Sequence, residues 1–245
     1  MVNVDTVYQR VLALANKEQR GYITPQEFNL LANQAQMDIF EQYFYDLNAF
    51  KRAPGNDTEH ADIVNILDEK ISGFENSQSV TRFDIDPPNE VYVYNLTEAI
   101  PDLHRIANVR VYRQGKWINV ERVSQKEHFE SQLGPLTRPT SSRPTYTLRT
   151  PGEDLLIHFH HDGDPDITVD YIRTPRKVNW TYIVVGEKAL VNPSSADYRN
   201  FELHPSEETE LVIKILALAG VTIQDDGLYQ LASSEDTKNT TKKLK

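Results

Sequence analysis

The sequence predicts an α+β fold: a small helical bundle of N-terminal helices plus a C-terminal helix, with an inserted antiparallel β sandwich or barrel. Three observations carry this. Apolar residues recur at helical spacing to about residue 71, the period changes to two between Val80 and about Leu190, and helical spacing returns after Pro205. The expected parts are residues 1–78, the N-terminal helical part, and 79–192, the β module. Residues 193–233 follow as the C-terminal helical part packing on the N-terminal helices, and 234–245 as a flexible polar tail.

Val4, Val7, Tyr8, Val11, Leu12 and Ala15 mark one face of a short first helix. The joint after it, Asn16–Glu27, has the length of a calcium-binding EF-hand loop, with Gly21 sixth and Glu27 twelfth. Its first, third and fifth positions hold Asn16, Glu18 and Arg20. A guanidinium donates hydrogen bonds, carries positive charge and cannot ligate a cation. The same residues suit a tight helix joint better: Gly21 stops the first helix, Thr24 caps the second, Pro25 takes its first position and Glu27 completes a capping box.

The second helix carries Phe28, Leu31, Ala32, Ala35, Ile39, Phe40 and Tyr43 on one face. A second stripe, Leu30, Met37 and Phe44, is the candidate subunit interface, because a helix with two apolar stripes is usually covered on both. Pro54-Gly55-Asn56-Asp57 signals a loop, and Ile63, Ile66, Leu67 and Ile71 mark a third helix. Strands are expected at Val91–Tyr94, Ile106–Arg113, Trp117–Val123, Thr145–Arg149, Leu155–His160, Ile167–Arg173 and Tyr182–Val185. Gly115 makes a hairpin of the second and third, and a helical turn, Gln125–Gln132, interrupts the series. The last helix starts at Pro205-Ser206-Glu207-Glu208 with a serine cap, buries Leu211, Val212, Ile213, Ile215, Leu216 and Leu218, and closes at Gly220.

Composition removes several function classes. The chain has 245 residues, 39% of them hydrophobic, and no cysteine, hence no disulfide, thiolate zinc site or cysteine nucleophile. The absence of cysteine suits a reducing cytoplasm. No basic flank leads into a long apolar run at Met1–Asp5, so no signal peptide is expected, and no segment reaches membrane-spanning length. A net charge of −10 argues against a dedicated nucleic-acid binder. It is compatible with the wall of a channel through which DNA slides without sticking.

Chemistry-bearing motifs are few. His158 and His160 fall on one face of a strand and run into Asp162 and Asp164, a candidate metal cluster that also reads as exposed histidines before an acidic turn. There is no Gly-x-Ser-x-Gly elbow, phosphate loop, dinucleotide fingerprint or His-Glu-x-x-His, and no enzyme or cofactor is expected. The proline-bounded loop with Arg138 and Arg143 is a candidate partner loop or a solvated connection. Trp180 reads equally as an interface anchor or a core residue.

Two blocks then stand out together: Arg20-Gly-Tyr-Ile-Thr-Pro-Gln-Glu-Phe-Asn29 with Ala32-Asn-Gln-Ala-Gln36, and Ser194-Ser-Ala-Asp-Tyr-Arg-Asn-Phe-Glu-Leu-His-Pro-Ser206 continuing through Ala219-Gly-Val-Thr-Ile223. They resemble virion structural proteins of crAss-like and related tailed phages, which form rings beneath the portal. The plan of bundle, inserted β module and returning helix is also similar to head–tail adaptors of short-tailed phages. The resemblance implies a non-enzymatic virion protein assembled in the host cytoplasm. It further implies a homo-oligomer, a dodecameric ring, between the portal and other tail or ring proteins, with DNA passing through and no membrane. It transfers no active site. A metal-dependent enzyme or binding module on His158 and His160 is the alternative from another class, and a calcium switch at Asn16–Glu27 is a third.

Overall fold

Helix α1 (Val4–Lys17) starts where the Asn3 side chain accepts hydrogen bonds from the Asp5 and Thr6 amides at 2.8 and 3.2 Å. The computed structural model that shows this describes residues 1–17, 23–52, 58–86, 91–113, 115–160, 166–186 and 188–222. Helix α2 (Pro25–Arg52) opens on a reciprocal capping box. The Glu27 amide donates to Thr24 Oγ1 at 3.3 Å, and the Thr24 amide donates to Glu27 Oε2 at 2.9 Å. The Thr24 hydroxyl adds a third bond to that carboxylate oxygen at 2.8 Å. These bonds hold the Glu27 carboxyl below its ordinary pKa. The carboxylate required at the last position of a calcium loop is therefore engaged in starting a helix. Gly21 lies outside the described residues.

Helix α3 (Thr58–Ser72) buries Leu67 and Ile71, half-buries Ile63 and leaves Ile66 51% exposed, so its apolar face is narrower than its spacing suggests. The C-terminal helix α6 (Glu208–Thr222) packs on α1 and α2 as expected. Its start differs from the expected serine cap. A 3₁₀ turn, Pro205–Glu207, precedes it, and the His204 ring accepts from the Ser206 amide at 3.3 Å. Proline takes the first position, so the residue before it caps. Gly220 does not close α6, which continues to Thr222.

Chain contacts divide the molecule into a helical unit, Met1–Lys70 with Pro175–Lys245, and a β unit, Ile71–Thr174. In the β unit, β1 (Glu75–Val80), β9 (Ile167–Arg173), β4 (Leu103–Arg113) and β5 (Lys116–Asn119) form one antiparallel sheet in that order. The other runs β2 (Asp84–Asp86), β3 (Val91–Asn95), β8 (Leu156–His160), β7 (Thr145–Arg149) and β6 (Glu121–Arg122). All its pairs are antiparallel except β6 with β7, which is parallel. Val109, Val111, Ile167 and Val169 of the first sheet share one core with Tyr94, Tyr146, Ile157 and Phe159 of the second, which makes a sandwich. Short helices α4 (Leu96–Ala99) and α5 (Gln125–Leu133) interrupt the strands.

The units part earlier at both ends than the expected 79–192 module. β1 is polar and exposed except at Val80, so it shows no alternation, yet it pairs with β9 along its full length. Residues 175–192 have strand-like sequence but belong to the helical unit. There, Tyr182–Val185 and Lys188–Val191 form a separate hairpin, β10 and β11.

Candidate functional site

Described residues of the two sequence blocks meet in the helical unit, Gln36 of the first with Glu202 of the second. Asn29, Asn33 and Gln36 lie at positions i, i+4 and i+7 of α2 and face one extended segment. The Asn29 side chain accepts from the Trp180 amide at 2.8 Å and donates to the Trp180 carbonyl at 3.2 Å. The Asn33 side chain does the same for Val178, at 2.8 and 2.9 Å. Gln36, 1% exposed, donates to the Arg176 carbonyl at 2.9 Å and accepts from the Glu202 amide at 3.1 Å. Three side-chain amides thus replace a neighbouring strand for residues 176, 178 and 180, whose backbone groups need partners once buried. The second block closes onto the N-terminus: Asn200 accepts from the Val4 amide at 3.0 Å, and the Phe201 amide donates to the Val2 carbonyl at 3.2 Å.

This arrangement decides the case of Trp180. Its side chain is 1% exposed, its ring lies 4.1 Å from Tyr8, and its indole N–H donates to Asp5 at 2.9 Å. It is a core residue of its own chain and cannot anchor a neighbouring subunit. Phe44 is corrected likewise: it is buried, edge-on against Phe40 at 5.1 Å. Of the expected interface stripe, Leu30 is exposed and Met37 half-buried. The stripe follows the apolar spacing correctly, but α2 winds it from solvent into the core.

A buried ion pair adds rigidity nearby. Lys70 of α3 bonds to Glu207, which is 3% exposed, and the Lys70 ammonium sits 5.5 Å from the Tyr43 ring centre. Burial and the carboxylates of Glu207 and Glu210 push the Tyr43 phenol far above its ordinary range.

In the β unit, β8 is covered on both faces, so His158 and His160 are buried rather than exposed. His160 stacks on His128 of α5, rings 3.4 Å apart and 17° from parallel, and its Nε2 lies 3.2 Å from the Thr147 hydroxyl. Burial, then the neighbouring His128, His158 and Arg149, push the His160 imidazole down to about 3. The His128 pKa is also lowered, by burial and Arg149. Nitrogen lone pairs lie in the ring plane, so stacked rings do not converge on one ion. Among the described residues no group of three or more His, Cys, Asp or Glu side chains is placed to hold a metal. Asp162 and Asp164 lie outside the described residues. Sequence alternation put the two histidines on one face correctly, but it gave no sign that α5 would cover that face.

Arg138 and Arg143 are exposed, and Arg143 faces Glu121 at 3.9 Å, a weak surface pair. A stronger surface feature is the β4–β5 hairpin, which forms about Gly115 as the spacing predicts. Gly115 adopts φ +79° there. Tyr112 and Trp117 face each other across the strands, 57% and 54% exposed, with ring centres 5.1 Å apart. The Arg110 guanidinium lies 5.1 Å from the Trp117 ring and pairs with Asp170 at 2.5 Å. The signal available in the sequence was charge: Leu103–Asn119 holds Arg105, Arg110, Arg113 and Lys116 and no Asp or Glu.

No known family model matches the chain, and no curated protein matches it. Among the described residues no helix is long and apolar enough to cross a membrane.

Proposed function

We propose that this chain is a structural virion protein, a head–tail connector or ring protein that oligomerises around the DNA channel between portal and tail. The observation that carries the reading is the amide ladder of Asn29, Asn33 and Gln36. Asn29, Asn33 and Gln36, which lie in or beside the blocks that resemble phage ring proteins, join α2 to residues 176–202 near the other end of the chain, as suits a building block. Net charge of −10 suits a channel wall that repels the phosphate backbone. The twelvefold ring follows from the resemblance alone.

Light scattering on the purified chain, with negative-stain microscopy, tests it. Closed rings, or binding to a portal ring, are the expected result. A chain that stays monomeric at high concentration and has no affinity for a portal overturns it.

A further inference from the structure

We propose that the aromatic tip of the β4–β5 hairpin docks on the exposed face of α3 in a second copy of this chain, a contact that rests on the ring reading above. A ring of identical subunits closes through heterologous contacts, in which a patch on one copy fits a different patch on the next. The hairpin supplies one patch. Tyr112 and Trp117 are exposed, and Trp and Tyr, with Arg, dominate the energetic centres of protein interfaces. Trp117 is also held in advance. It rests on the Arg110 guanidinium, which Asp170 fixes, and Asp170 in turn accepts from the Ser77 hydroxyl at 2.8 Å. A side chain already immobilised loses little entropy on binding.

Charge selects the occupant. Arg113 and Lys116 flank the turn beside the aromatic pair, in a stretch without acids on a chain of net −10. The matching patch combines apolar surface with carboxylates, and α3 carries one. Asp62, Ile66 and Glu69 lie at i, i+4 and i+7 and are all exposed, with Ile66 at 51%. The two acids bracket the isoleucine over about 10 Å of helix, close to the width of two paired strands with their side chains.

The test uses the full chain. Trp117→Ala, and separately Arg113→Glu with Lys116→Glu, should raise the concentration needed for assembly roughly tenfold or more. Asp62→Arg with Glu69→Arg should do the same, and combining both charge reversals in one chain should restore assembly. Asp62, Glu69, Lys116 and Trp117 are exposed and Arg113 is half-buried, so far-UV circular dichroism should stay unchanged, and Lys116→Glu alone serves where the Arg113 change disturbs the fold. Trp117→Phe, a milder change, with an intermediate loss serves where Trp117→Ala fails to fold. Wild-type rings that survive all the substitutions overturn this contact and leave the ring reading standing. A wild-type chain that never assembles removes both. A single-stranded oligonucleotide held by the wild type and released by Trp117→Ala, with no change of mass, overturns the contact in favour of nucleic acid.

Discussion

Asn33 uses both ends of one amide to satisfy both backbone groups of Val178, and an alanine there has no substitute to offer. Asn33→Ala should cost about 2–3 kcal/mol, read by urea denaturation, since it removes three bonds, one of them to the Asn29 carbonyl, and strands a part-buried N–H and C=O. Asn33→Asp keeps the acceptor for the Val178 amide and should fall between the two. Lys70 presents a different asymmetry. Lys70→Ala leaves Glu207 buried without its cation and should cost about 3–5 kcal/mol. Lys70→Met combined with Glu207→Leu removes both charges and should recover most of that loss, an outcome a simple contact count would not give.

At the scale of elements, the contact of α5 with the sheet is sensitive to pH. The helix carries no buried residue and meets the sheet through the His128–His160 stack. The folded His160 pKa is about 3, against 6.5 when unfolded. Below 6.5 the unfolded chain therefore binds a proton that the folded chain refuses. Stability from this group is complete above pH 6.5 and declines, by about 1.4 kcal/mol per pH unit, as pH falls toward 3. His160→Phe should flatten that slope in midpoint-against-pH measurements, with the difference between variant and wild type isolating the group from the carboxylates.

Element type was legible where local physics decides it. Thr24 and Glu27 predict a helix start and make one, and β7, β9 and β10 fall at their predicted bounds. β1 was hidden because Glu75-Asn-Ser-Gln-Ser pairs through backbone alone and carries no apolar alternation. The burial of His158 and Phe44 was hidden, and that of Trp180 left open, for a related reason. Spacing states which residues share a face, but what covers that face is set by segments far away in sequence. The hairpin patch was half legible, its charge in the sequence and its exposed aromatics only in three dimensions.

For the whole molecule, the division into two units makes a separate prediction. A chain ending after Thr174 keeps every strand of the sandwich but loses the partners of α1 and α2. It should retain a cooperative transition followed by tyrosine and tryptophan signals of the β unit, while far-UV helical signal drops. Loss of both signals together would show that the sandwich depends on the helical unit for its stability.

The amide ladder also sets a timetable. On the ribosome the β unit is fully synthesised once Thr174 has emerged, whereas α1 and α2 must wait for residues 176–222 to bring their hydrogen bonds and the apolar surface of α6. At roughly 5–20 residues per second that delay lasts several seconds, during which α2 has local contacts such as Tyr8 on Phe28 but still lacks α6. The nascent chain is then most vulnerable at its oldest end, and a chaperone that engages it should find its binding segment in α2.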